Sequence, residues 1–168
     1  MTIDSTIRIA LTNFAEDLRG RSWWGRENEC VNRFAFGYLF PLAAPGSEFF
    51  SVRQLGIEVA VPQLQVDEGK QRKELVRKDL VIWPEEDMNC WEGSGERNPA
   101  NVPLSVLEWK ANKTSIYDAD RQWLKQASKD WPQFWGFAIT VDLSQRNFIL
   151  SAECIHLGQI QNNWLDIK

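Results

Sequence analysis

Five short apolar segments with the period of a β-strand, interrupted once by a helical segment, constrain the fold of this chain most strongly. Around residue 57 the pattern is clearest, because Ile57, Val59 and Val61 alternate with smaller or charged residues. The five segments span 57–61, 78–84, 104–112, 134–143 and 147–155. The first three predict an antiparallel meander, and the helix after the third predicts a crossover to the remaining strands.

Helical periodicity marks three further segments. The first helix has apolar residues at three- and four-residue steps: Ile7, Leu11, Phe14 and Leu18. The second has Cys30, Val31, Phe34, Tyr38 and Leu39. The third, which precedes Pro132, has Trp123, Leu124, Ala127 and Trp131. We expect Asp4 or Ser5 to cap the first helix and Pro41 to end the second. The order predicts an α/β domain with a mixed central sheet flanked by helices.

Length and charge restrict the function classes. The 168 residues predict one domain over 1–168. A formal net charge of −4 excludes a protein that coats nucleic acid through bulk positive charge. The sequence lacks a long apolar run and a signal-peptide pattern, so we expect no membrane association. The three cysteines have no CxxC spacing, which favours a reducing, cytoplasmic location.

Nine tryptophans are a high number for this length. Tryptophan side chains fill cores, and they also form pocket rims, base-stacking platforms and protein-binding surfaces. We therefore expect either core packing or a tryptophan-rich surface that binds a protein partner.

Charged residues interrupt two of the predicted strands. Asp79 precedes the apolar run LVIW, and Glu108 and Lys110 lie two positions apart and so share one face of their strand. If segment 78–83 pairs with 104–110, Asp79 lies near Glu108. Two carboxylates beside an ammonium fit a Mg²⁺ site, in which Mn²⁺ can substitute. The alternative is a cross-strand ion pair between Lys110 and a carboxylate.

The segments KDLVIWP (78–84) and LEWKAN (107–112) resemble the PD-(D/E)xK nuclease superfamily. The resemblance implies a restriction-endonuclease-like αβββαβ core over about 22–155, with an extra helix at the N-terminus. It also implies that Asp79 and Glu108 bind the metal and that Lys110 is catalytic. The implied activity is Mg²⁺-dependent hydrolysis of DNA phosphodiester bonds, in many such nucleases by a homodimer.

Members of this superfamily often add a glutamate from the helix before the sheet, where segment 25–39 lies here. Glu27 precedes Val31 by four positions and Phe34 by seven, which places it on the inward stripe. Glu29 lines up with Arg33 and Phe36 instead. We therefore expect Glu27 to complete the catalytic group. An acid in the first helical turn is also favoured by the helix dipole alone.

Two further groups are candidates for substrate binding. Five cations precede Asp79 and would form either a phosphate-contacting rim or a solvated turn: Lys70, Arg72, Lys73, Arg77 and Lys78. Gln122 and Gln126 lie one turn apart on the third helix, which in some relatives of the superfamily presents a polar residue to the substrate. The alternative for this pair is simple solvent exposure.

The chain departs from the superfamily pattern in two ways. Lys78 stands where the family has proline, and segment 85–103 is an inserted polar loop with five acidic residues. We expect this loop to be a surface lid or partner-binding hairpin that can be shortened without unfolding the domain. Its charge also suggests an alternative function, a catalytically inactive nuclease-fold module that binds a protein partner or nucleic acid.

Overall fold

The computed structural model describes residues 1–64, 75–91, 100–113, 115, 117–143 and 148–168. The described residues form three α-helices: α1 (Ile3–Arg19), α2 (Glu27–Phe34) and α3 (Asp118–Asp130). They also form six strands: β1 (Leu55–Pro62), β2 (Leu75–Ile82), β3 (Ser105–Ala111), β4 (Trp135–Asp142), β5 (Ile149–His156) and β6 (Gln159–Ile167). Among these described helices, none has the length and apolar character needed to cross a lipid bilayer.

The six strands form one mixed sheet in the order β1-β2-β3-β4-β5-β6. β1, β2 and β3 pair antiparallel, β3 and β4 pair parallel, and β4, β5 and β6 pair antiparallel. The parallel pair requires a crossover, and α3 supplies it. The predicted meander, crossover and mixed sheet are therefore confirmed.

Two separate cores cover the two faces of the sheet. Residues of α1 and α2, such as Phe14 and Phe34, pack with Leu107 and Trp109 of β3. Residues of α3 pack on the other face with alternate strand residues such as Val106. The helices therefore flank the sheet as a layered α/β arrangement, and β3 is buried on both sides.

The N-terminal helices differ from the prediction in their ends. The N-cap of α1 is Thr2 rather than Asp4 or Ser5, because the helix starts two residues earlier than we expected. α2 is shorter than its apolar stripe. The stripe continues through a π-helical turn, Ala35–Leu39, and a 3₁₀ turn that contains Pro41 follows it.

The sixth strand is absent from the prediction. We expected the sheet to end with residues 147–155, whereas β5 includes His156 and β6 follows it. β6 is an edge strand on which only Trp164 is fully packed, so it lacks the apolar alternation that marks the other strands. Residues 144–147, predicted as a hairpin turn, lie outside the described residues, although β4 and β5 pair as a hairpin requires.

β1 changes the sheet face to which its side chains point. The sequence alternation predicts Ile57 and Val59 on the same face, but Ile57 packs with α1 and α2 whereas Val59 packs on the α3 side. Glu58 between them has a φ of 50°. The neighbouring strand β2 changes face at the same level. Leu80 belongs to the α1–α2 core, whereas Lys78 reaches Trp123 of α3.

Segment 85–103 is more than a surface loop. In its described part Cys90 is buried, and Met88 and Trp91 pack against the α3-side core. The Asn101 amide donates to the carbonyls of Asn89 and Trp91, at 2.8 Å each. The expectation of a surface lid or hairpin is therefore wrong for the first end of the segment, which packs on the core. The other end is hydrogen-bonded to it through Asn101.

We predict that removing residues 86–101 lowers the free energy of unfolding by about 2 kcal/mol or more, since the buried Cys90 and its neighbours lose their packing. Urea denaturation compares this variant with wild type. Arg53→Ala is the control, because it removes only exposed ion pairs to Glu86 and Asp87 and should cost under ~1 kcal/mol. An unchanged midpoint in the deletion variant would contradict the anchoring.

Candidate active site

The predicted catalytic residues come from three elements, β2, β3 and α2, that meet where the pairing of β2 with β3 stops. Strand β2 pairs with β3 from Leu80–Leu107 to Ile82–Ser105. Next to this paired region, the Asp79 carboxylate accepts a hydrogen bond of 2.8 Å from the backbone N–H of Trp109. Asp79 is half-buried and reaches β3 between Glu108 and Lys110.

Glu108 forms a buried ion pair with Lys78. The Lys78 ammonium donates to Glu108 Oε1, and each side chain is only 5% exposed. Burial raises the pKa of the Glu108 carboxyl from its ordinary 4.5 to about 7. The Lys78 charge opposes this rise, and the neighbouring charges of Asp79 and Asp120 add to it.

Lys110 lies on the same strand face as Glu108 and is surrounded by acceptors. Its Nζ donates to the Trp109 carbonyl at 2.6 Å and to Glu27 Oε1 at 3.2 Å, and Asp120 Oδ2 lies at 3.9 Å. Burial lowers the pKa of Lys110, but the carboxylates of Asp79, Glu27 and Asp120 outweigh it, so the pKa lies above its usual value. The neighbouring carboxylates therefore favour the ammonium form of Lys110.

The two glutamates at the start of α2 have different partners. Glu27 reaches across to Lys110, while its carboxylate keeps 37% exposure to solvent. Glu29 turns back to its own helix and accepts the Arg26 N–H at 2.7 Å. The geometry thus places Glu27, and not Glu29, beside the strand residues.

Carboxylate oxygens of the kind Mg²⁺ prefers are present, and the repulsion that helps to raise the Glu108 pKa is one that a cation would relieve. Within the described residues, however, no group of three or more His, Cys, Asp or Glu side chains is arranged to hold a metal ion. The donor chemistry therefore fits a divalent cation, but Glu108 is held by Lys78 and Asp79 by a backbone N–H.

The predicted substrate-binding residues lie apart from this cluster or have other partners. Arg77 is exposed and pairs with Glu58 at 3.4 Å. Gln126 donates to Asp130 at 2.8 Å, and Gln122 is exposed. Lys73 lies outside the described residues, as do Lys70 and Arg72.

Lys78 does not belong to a phosphate-contacting rim. Lys78 lies buried on the α3 side of the sheet, beside Glu108, rather than at the surface. A buried lysine in an ion pair has no free ammonium to offer a phosphate at the surface. The prediction of Lys78 as a surface substrate contact is therefore wrong.

Sequence reasoning missed Asp120. It lies in the first turn of α3, half-buried, and its charge acts on both Glu108 and Lys110. Asp118 and Asp120 open α3, and this pair of acids after the third predicted strand could have pointed to a further carboxylate near the site. An Arg121–Glu153 ion pair, with contacts of 2.6 and 2.9 Å, fixes this end of α3 to β5.

The tryptophans are mainly core residues. Trp83 and Trp109 are fully buried, and Trp123 and Trp164 are nearly so. Trp24 is 63% exposed. The structure therefore favours the core-packing alternative over a tryptophan-rich partner surface.

The chain shows no match to a model of a known protein family, to a curated protein or to a solved structure.

We predict that the Glu108 carboxyl makes the protein less stable as the pH rises. A carboxyl with a higher pKa in the folded state binds its proton more tightly there, so the free energy of unfolding falls between pH 4.5 and about 7. The expected loss is roughly 3 kcal/mol. Urea denaturation in EDTA across this range measures it.

The Glu108→Gln variant should lose this part of the pH dependence. Glu16→Gln, at an exposed position of α1, is the matched control and should retain it. Equal pH dependence in wild type and Glu108→Gln would contradict the raised pKa.

Proposed function

We propose that the chain is a metal-dependent nuclease that hydrolyses DNA phosphodiester bonds on a restriction-endonuclease-like fold. The observation that carries the proposal is the proximity of Asp79, Glu108, Lys110 and Glu27, although they come from β2, β3 and α2. The order of helix, three-stranded meander, crossover helix and parallel strand supports it as well, since the αβββαβ core has this order.

Asp79 and Glu108 are the residues that would hold Mg²⁺, or Mn²⁺ in its place. A divalent cation there supplies charge stabilisation at the phosphoryl oxygens and lowers the pKa of a bound water. Asp79 is positioned for this by the Trp109 N–H, which fixes one of its oxygens. Glu108 lies in β3, a strand that is buried on both faces, and this packing restricts where its carboxylate can lie.

Lys110 acts as a fixed positive charge rather than as a proton acceptor. The carboxylates of Asp79, Glu27 and Asp120 raise its pKa above the usual value, which favours the ammonium form. An ammonium held by the Trp109 carbonyl and Glu27 stabilises negative charge that develops on the phosphoryl group. Glu27 orients this lysine and remains partly open to solvent.

A second candidate function is a catalytically inactive module that keeps this fold and binds a protein partner or nucleic acid. The observation that favours it is the buried ion pair in which Lys78 binds Glu108, one of the two proposed metal ligands. The two functions differ in whether the purified chain cleaves DNA when Mn²⁺ is present.

We predict that wild-type protein cleaves single- or double-stranded DNA with Mg²⁺ or Mn²⁺ and that Lys110→Ala lowers the rate by about 100-fold or more. The reason is the loss of a charge that stabilises the transition state. A gel-based cleavage assay measures both rates, and circular dichroism shows that the variant is folded.

Lys125→Ala is the matched control, because this lysine is exposed on α3. It should cleave at the wild-type rate. Wild-type activity in a folded Lys110→Ala variant would contradict the role of the lysine. Absence of cleavage by wild type with either metal, on either form of DNA, would favour the inactive module.

A further inference from the structure

Lys78 is the residue of the cluster that the proposed function does not use. Its ammonium and the Glu108 carboxylate form an ion pair in which both side chains are 5% exposed. Removing two charges from water is costly, and the cost is recovered only with close pairing and additional favourable contacts. A buried carboxylate at this position therefore needs a cation, and Lys78 supplies one from within the chain.

The backbone is shaped so that Lys78 can reach Glu108. In a regular strand Lys78 would share the face of Leu80, which packs with α1 and α2. The change of face around Asp79 instead brings Lys78 to the α3 side, where Glu108 points. Asp79 itself bonds to the backbone of β3 at this position.

Lys78 also has a second favourable contact. Its Nζ lies 4.1 Å from the centroid of the Trp123 ring, and the Trp123 indole N–H is fixed by a 3.1 Å hydrogen bond to Gln63. An aromatic face attracts an ammonium, most strongly when both are shielded from water. The ammonium thus has a partner besides Glu108, and the loss of Glu108 would not leave it isolated.

We propose that Lys78 is the resident counter-ion of Glu108 and that it is exchanged for a divalent cation when the site is loaded. This inference rests on the metal site of the proposed function and concerns how that site is controlled. Lys78 neutralises Glu108 in the metal-free protein and holds its carboxylate in place. A divalent cation then has to compete with an internal ammonium, which weakens metal binding relative to a free carboxylate.

Calorimetric titration with Mn²⁺ after removal of metals by EDTA tests the exchange. Lys78→Met keeps the length and apolar stem of the side chain but removes the competing charge. Because Glu108 without Lys78 holds a proton more tightly, the titration is run at pH 8, where the metal competes with fewer protons. There we expect Lys78→Met to bind Mn²⁺ at least ten times more tightly than wild type. Lys125→Met is the matched control and should bind as wild type does.

Removing Glu108 should abolish the gain. Glu108→Gln and the double variant with Lys78→Met should both lose the Mn²⁺ binding seen in the single Lys78 variant. Since Lys78→Met leaves Glu108 without a counter-ion, Lys78→Gln is the second variant, as it retains a hydrogen-bond donor. Circular dichroism identifies which of the two is folded.

A folded Lys78 variant that binds Mn²⁺ no more tightly than wild type, or that binds none, would overturn the exchange. The titration does not depend on catalysis. Tighter Mn²⁺ binding by Lys78→Met in a protein that cleaves no DNA would refute the nuclease function and leave the exchange standing.

Discussion

The ion pair between Glu108 and Lys78 is the interaction on which the rest of the candidate site depends. Glu108 lies in β3, which is buried on both faces, and burial alone drives its carboxyl towards the protonated form. Lys78 opposes this shift, while the charges of Asp79 and Asp120 reinforce it. The carboxylate is thus held between a cation that stabilises its charge and anions that oppose it. In the proposed site, a further cation would add to the first of these two influences.

The backbone around Asp79 connects this pair to the other functional groups. Because β2 changes face there, its consecutive residues serve different purposes: Lys78 neutralises Glu108, and the Asp79 carboxylate bonds to the backbone of β3. Lys110, the residue after Trp109 in β3, is held by Glu27 of α2. One local irregularity in two neighbouring strands therefore brings together charges that a regular sheet would keep on opposite faces.

Much of the fold could be predicted from the sequence, because apolar periodicity reports which residues face a core. It located the helices, five strands and the crossover, but β6 was missed because an exposed edge strand needs few apolar residues. The spacing also pointed to Asp79, Glu108, Lys110 and Glu27. The role of Lys78 could not be predicted, since strand alternation assigns it to the wrong face. Asp120 was missed because its proximity arises only when α3 crosses the sheet.

The most direct measurement is a crystal structure of the protein grown with Mn²⁺, with anomalous scattering used to locate the metal. We predict one peak at roughly 2.1 Å from carboxylate oxygens of both Asp79 and Glu108, a distance that suits a small divalent cation. We also predict that the Lys78 ammonium no longer bonds to Glu108 in that structure. A map without a peak at these carboxylates, with Lys78 still paired to Glu108 at saturating Mn²⁺, would contradict the account.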